Sequence, residues 1–159
     1  MRIIGIDPGY AIVGWGVLDY SGSRFRVVDY GAVTTPPDTP FERRIERVYD
    51  ELAAILDTYR PHAMAVEKLF FTTNQKTAID VSQARGAILL CAVKHNAAIH
   101  EYTPLQVKSA VTGYGKADKN QVQQMTKTIL GLSAVPKPDD TADALAIAIC
   151  HAHTGTRME

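Results

Sequence analysis

Four carboxylates stand where secondary structure alone does not require them. Asp7 closes the apolar run RIIGID just before Pro8-Gly9, and Glu67 closes a second short run, AMAVE. Asp140 and Asp143 lie three residues apart at the start of a nearly apolar stretch, so a helix there puts both on one face. Strand ends in α/β sheets are where reaction sites are assembled. Each acid also has an ordinary explanation. An Asp before Pro-Gly is a turn residue, Asp139 and Asp140 suit a helix N-terminus, and Glu67 beside Lys68 fits an exposed strand end. Asp143 resists such an explanation, because it is the only charge between Asp140 and Arg157. Carboxylates that converge repel one another, and a hard divalent cation such as Mg²⁺ relieves that repulsion through oxygen ligands. Two such ions about 4 Å apart can activate water and stabilise the leaving oxygen in phosphodiester cleavage. The elements that carry the four acids decide whether they meet.

The first third of the chain reads as three strands, over residues 2–7, 11–20 and 24–35, separated by Pro8-Gly9 and Ser21-Gly22-Ser23. Such short connections make the strands an antiparallel meander. The segment from Thr39 to Glu42 predicts a capping box with Pro40 at the first helical position. Phe41, Ile45, Val48, Leu52, Ile55 and Tyr59 then recur at helical spacing until Arg60-Pro61. A buried strand over 63–67, a long helix over 74–96, a strand over 98–102 and a short helix over 105–111 follow. Asp118 is placed to cap a helix from Lys119 to Leu130 with Val122, Met125 and Ile129 inward. Asp139 or Asp140 caps a last helix running to about His153. The order βββαβαβααα predicts one α/β domain over 1–159, with a five-stranded mixed sheet and helices on both faces.

The segments IIGIDPGYAIVGWGVLD, AVEKLFFTTN, QARGAILLCAV and DDTADALAIAICHAH, in this order, closely resemble the RuvC family of Holliday junction resolvases. The resemblance spans Met1 to about His153. It implies a ribonuclease H-like fold and a homodimer that nicks two strands of a four-way DNA junction with divalent metal. It also implies a RuvA-RuvB branch-migration complex as partner. The family's catalytic and metal-binding acids match Asp7, Glu67, Asp140 and Asp143. Asp139 is an adjacent alternative to Asp140, and the D-T-A-D register favours Asp140. Phe70, with Phe71 beside it, matches an aromatic that contacts a base at the crossover, a contact worth roughly 1–3 kcal/mol when it stacks. Lys108 and Lys119 match basic positions near the active site. Arg85 matches a family segment and is assigned to DNA, with packing or a subunit interface as the other reading.

The charge distribution agrees with a DNA substrate, although the net charge is zero. Residues 1–67 hold 7 basic and 10 acidic side chains, residues 68–127 hold 8 and 3, and residues 128–159 hold 2 and 4. The middle segment carries Lys76, Arg85, Lys108, Lys116 and Lys119, which can neutralise phosphates. A solvated lysine face would show the same count. The loop with Gly113, Gly115 and Lys116 fits either a phosphate contact or a plain connection. Gly86 among Ala84, Ala87 and Ala92 allows close helix packing, within one chain or between two.

Composition excludes other classes. Hydrophobic residues at 46% and charged residues at 21% are those of a globular protein, not of a disordered or histone-like chain. No apolar run is long enough for a membrane span, and Cys91 and Cys150 read as buried reduced thiols of a cytoplasmic protein. His151 and His153 read as exposed residues near a helix end. A non-catalytic junction-binding protein of the same fold would be marked by a missing acid, and none is missing. A nuclease for RNA–DNA hybrids shares the pattern. The GIDPG turn also opens actin-like and sugar-kinase folds, which need two such domains and a longer chain.

Overall fold

Ten elements follow one another along the chain, in a computed structural model that describes residues 1–68 and 75–155. They are β1 (Arg2–Asp7), β2 (Ile12–Ser21), β3 (Arg24–Thr34), α1 (Phe41–Tyr59), β4 (Ala63–Glu67), α2 (Gln75–Lys94), β5 (Ala98–Tyr102), α3 (Pro104–Thr112), α4 (Lys119–Leu130) and α5 (Asp139–Gly155). The sheet order is β3-β2-β1-β4-β5. β1, β2 and β3 pair antiparallel, while β4 is parallel to both β1 and β5. The sheet is therefore the expected meander with two parallel additions.

Strand alternation divides the core in two. On one face Ile3, Leu18 and Ala65 pack with α5, Val107 of α3 and Val122 of α4. On the other, Ile4, Ile6, Met64 and Val66 pack with Val48, Leu52 and Leu56 of α1 and Ile88, Cys91 and Ala92 of α2. Strands covered on both faces have no polar alternation, which is why β1 and β4 read as continuous apolar runs. Both cysteines are buried and free.

Three local expectations are corrected. No capping box opens α1: Pro40 is the N-cap residue and no side chain caps it. Its ring fixes φ in the extended residue, so its carbonyl receives Arg43 N–H and Arg44 N–H at 3.0 and 3.1 Å and Thr39 is left one position too early. Met125 is 39% exposed, and the inward position of α4 belongs to Thr126, whose hydroxyl donates to the Val122 carbonyl at 2.8 Å. The last helix starts at Asp139, so Asp139 and Asp140 both lie in its first turn rather than capping it. Elsewhere the caps are as local chemistry asks: Asp118 and Gln121 form a reciprocal box at α4, and Thr103 and Gln106 another at α3.

Candidate active site

Alternation that puts Ile3 and Gly5 toward α5 also points Asp7 there, at the C-terminal end of β1. The same rule on β4 takes Ala65 and then Glu67 to that face. Because β1 and β4 are parallel neighbours, both acids emerge at the same end of the sheet. α5 crosses above them, and three glycines let it lie unusually close. A Cβ on Gly5 would stand 1.9 Å from the Ala144 carbonyl oxygen, and one on Gly14 would stand 2.0 Å from that of Asp140. Gly16 admits Leu145 in the same way. The first turn of α5 is thereby set down over Asp7.

The electrostatics record the convergence. The Asp7 carboxyl is pushed up to about 8, first by loss of hydration and then by Asp143, Asp140 and Glu67. Glu67 is raised by desolvation and by Asp143, an effect that Lys108 opposes. Asp143 is raised by desolvation and by Asp140 and Asp139, while Lys119 lowers it. Asp139 behaves otherwise. Lys137 at 3.1 Å and Lys119 at 3.4 Å lower it from the usual carboxylate range. The acid that couples to Asp7 from this turn, after Asp143, is Asp140.

Lys119 also reaches Asp143, at 3.9 Å. Glu67, Lys108, Lys119 and Asp143 line a cleft of about 230 Å³ whose apolar side is Val107, Val122 and Ile147. Among the described residues no three His, Cys, Asp or Glu side chains stand together closely enough to hold a metal ion. The donor set nevertheless suits a hard cation: all four groups are carboxylates, and three of them bind protons more tightly than usual. That proton affinity measures an excess of negative charge that a divalent ion would neutralise.

The remaining candidates fall in different places. Lys76 and Lys116 are exposed. Phe70 and Phe71 lie outside the described residues. Arg85, assigned to DNA from sequence, is turned into the protein: its guanidinium pairs with Glu101 of β5, its side chain is only 14% exposed, and its buried Nε has no partner among the described residues. It sits on α2, whose buried side chains pack on the sheet face opposite α5. His151 is buried, not exposed. The Tyr102 hydroxyl lies 2.6 Å from its Nδ1, and burial pulls its pKa down to about 4. His153 is half-buried against Phe25, with Nδ1 3.0 Å from the Ala110 carbonyl. Both are enclosed because α5 has neighbours along its whole length. The glycine contacts under α5 were not singled out from sequence. Their signal was Gly at alternate strand positions together with the Ala-rich stretch ADALAIA, which are the two sides of one close packing.

The model of the RuvC family, crossover junction endodeoxyribonuclease RuvC, matches residues 3–151. The chain belongs to the RuvC family. A RuvC from Alkaliphilus oremlandii is 58% identical over all of this chain and 97% of its own length. One from Fusobacterium nucleatum is 58% identical over 95% of this chain and 80% of its own. The structure of Thermus thermophilus RuvC in complex with Holliday junction substrate superposes with a TM-score of 0.91 at 35% identity, covering 99% of this chain and 96% of that one. The yeast mitochondrial resolvase Ydc2 shares the fold at 16% identity, with a TM-score of 0.69 over 95% of this chain and 77% of its own. The ribonuclease H-like architecture expected from the motifs is thus the architecture of the chain.

Proposed function

We propose that this RuvC-family chain resolves four-way DNA junctions by metal-dependent phosphodiester hydrolysis, with Asp7, Glu67, Asp140 and Asp143 holding the cations. The observation that carries the reading is the convergence of these four acids, from β1, β4 and α5, beside a cleft flanked by two lysines. These residues would hold Mg²⁺, as a pair of ions, which would supply an activated water and stabilisation of the departing 3′ oxygen, chemistry that leaves 5′-phosphate and 3′-hydroxyl ends. The protein's own part is placement. Asp7 and Glu67 are fixed by strand backbones, and α5 sets Asp140 and Asp143 above them. Lys119 and Lys108 draw a phosphate toward the acids and temper the repulsion while the site is empty of substrate. Lys76 and Lys116 contact the DNA backbone farther out, and Phe70 and Phe71, next to Glu67 in sequence, serve the crossover bases. The partners that follow from the family are RuvA and RuvB, and the compartment is the bacterial cytoplasm. Among the described residues no helix is long and apolar enough to cross a membrane.

The test is a synthetic four-way junction offered with Mg²⁺ beside linear duplex and RNA–DNA hybrid. Paired nicks in the junction are the expected result, and binding without nicks, or faster cleavage of the hybrid, overturns the reading. Asp143→Asn is expected to reduce cleavage by roughly a thousandfold or more while junction affinity stays near wild type, because only the cation site loses a ligand.

Symmetric cleavage needs two active sites, and α2 offers the surface for a homodimer. Ile79, Leu90 and Val93 are 59%, 55% and 63% exposed. Gly86, between them at helical spacing, has nothing within 4 Å of where a Cβ would be. Apolar side chains around an open glycine let a second helix approach closely. Leu90→Asp is expected to shift the protein from dimer to monomer in sedimentation analysis at micromolar concentration. An unchanged dimer would place the interface elsewhere.

A further inference from the structure

The corner where the β1–β2 loop meets β3 and α1 is laced more tightly than a surface turn requires. Thr35 is 5% exposed. Its hydroxyl donates to the Tyr10 carbonyl, and its N–H donates to the Ala11 carbonyl at 2.9 Å. Arg44 of α1 closes the corner from outside. Its Nε donates to the same Thr35 hydroxyl at 2.9 Å, and its Nη2 to the Thr35 carbonyl at 3.2 Å. The guanidinium lies over the Tyr10 ring at 4.9 Å, and Phe41 meets that ring edge-on at 5.5 Å. A relay therefore runs from Arg44 Nε–H through the Thr35 hydroxyl to the backbone of residue 10. Among the described residues Arg44 forms no ion pair with a carboxylate.

The laced loop is the one that leaves Asp7. Asp7 is the last residue of β1 paired to β2, opposite Gly14. Its carboxyl faces Asp143, Asp140 and Glu67. A carboxylate under that repulsion keeps its position only if its backbone is held, and on one side the holding groups are Tyr10 and Ala11. We propose that Arg44 is a positioning residue for Asp7, acting through Thr35 and Tyr10, and that this clamp sets the cation affinity of the acid cluster. The inference rests on the junction-nuclease reading above for its consequence in cleavage, and on the clamp geometry alone for its consequence in cation binding.

Thr35→Val removes the relay hydroxyl without touching any charge. Arg44→Ala removes the fork, and Arg44→Lys keeps the charge without the fork's geometry. The primary readout is Mn²⁺ binding to the DNA-free protein, followed by the electron paramagnetic resonance signal of the free ion. Both Thr35→Val and Arg44→Ala are expected to weaken Mn²⁺ binding about tenfold, with Arg44→Lys closer to Ala than to wild type, as a small misplacement of a reacting group predicts. Cleavage of the four-way junction should drop at limiting Mn²⁺ and recover at high Mn²⁺, with junction affinity in EDTA unchanged. Melting curves in EDTA establish that each variant is folded. Wild-type Mn²⁺ affinity in folded Thr35→Val and Arg44→Ala overturns the clamp. So does a loss of junction affinity in Arg44→Ala that Thr35→Val does not share, since Arg44 would then be a phosphate contact. If the wild-type protein binds Mn²⁺ but leaves junctions intact, the nuclease reading falls, and the Mn²⁺ titration still decides the clamp.

Discussion

Asp7→Asn is expected to abolish junction cleavage and, in the absence of metal, to make the protein more stable at pH 8 than the wild type. The two effects have one cause. In the fold the Asp7 carboxyl is held up near 8, chiefly by desolvation and then by three neighbouring acids, whereas in the unfolded chain it titrates near 4. A group whose folded pKa is raised stabilises the fold fully below its unfolded pKa, and that stabilisation is lost as pH rises through the folded pKa. The metal-free wild type should therefore melt at progressively lower temperature from about pH 4 to pH 8. Asparagine carries no charge to lose, so the slope should be shallower in the variant. A residual slope from Glu67 and Asp143, both also raised, should persist. At pH 8 in EDTA the difference is expected to favour Asp7→Asn by on the order of 5 °C. Saturating Mg²⁺ should raise the wild-type melting temperature and move the variant less, because a cation neutralises the charge that the substitution deletes. Calorimetric melts of both proteins at several pH values, with EDTA and with Mg²⁺, measure all of this. Equal pH slopes for the two proteins would remove Asp7 from the coupled cluster.

That coupling also explains how far the sequence alone could be read. The strands are legible because β1 and β4 are covered on both faces and show it as unbroken apolar runs, and because Pro8-Gly9 and Ser21-Gly22-Ser23 leave the meander no room for a crossover. The acids at the ends of β1 and β4 and on α5 are legible as types and as a family pattern. Their meeting was not, because it depends on the depth at which α5 lies. Depth is written in Gly5, Gly14 and Gly16, which look in sequence like ordinary small residues of a strand. The surroundings of Arg85 were hidden for a related reason. A cation in a basic stretch reads as surface, and only the passage of α2 past β5 reveals the carboxylate of Glu101 opposite it. His151 fails because proximity to the helix end suggested exposure, whereas α3 and β5 extend far enough to enclose the last turns.

The zero net charge looks, as a sum, like an argument against DNA, and the site shows why it is not. Asp139, the acid of the first α5 turn that is not among the four, is neutralised locally by Lys137 and Lys119. The four that converge crowd negative charge together, and Asp7, Glu67 and Asp143 bind protons more tightly than usual as a result of that crowding and of burial. A phosphate backbone drawn to the cleft would meet Lys108 and Lys119 there.

If the depth of α5 is what assembles the site, a single added methyl under it should cost both stability and activity. Gly5→Ala is expected to destabilise the protein by about 3 kcal/mol or more, because its Cβ would press on backbone, and backbone cannot turn aside as a side chain can. The atoms it would meet are the Ala144 carbonyl oxygen at 1.9 Å and the Ala148 nitrogen at 2.9 Å. Gly16→Ala provides the calibration. Its Cβ would first meet Leu145 side-chain carbons at 2.4 and 2.7 Å, which can shift, so a smaller loss of about 1–2 kcal/mol is expected. Gly14→Ala separates depth from stability. The contact there is the Asp140 backbone, with the carbonyl oxygen at 2.0 Å and the carbonyl carbon at 2.3 Å. Lifting the first turn moves a proposed ligand at the end of a helix whose remaining turns stay packed. Cleavage should therefore fall by on the order of a hundredfold or more, with a smaller drop in melting temperature than Gly5→Ala produces. Denaturant melts and junction cleavage on the three variants give the ranking. A Gly5→Ala protein that melts with the wild type, or a Gly14→Ala protein that cleaves with it, would mean that α5 can ride higher on the sheet without moving the acids apart, and the glycines would then have no part in building the site.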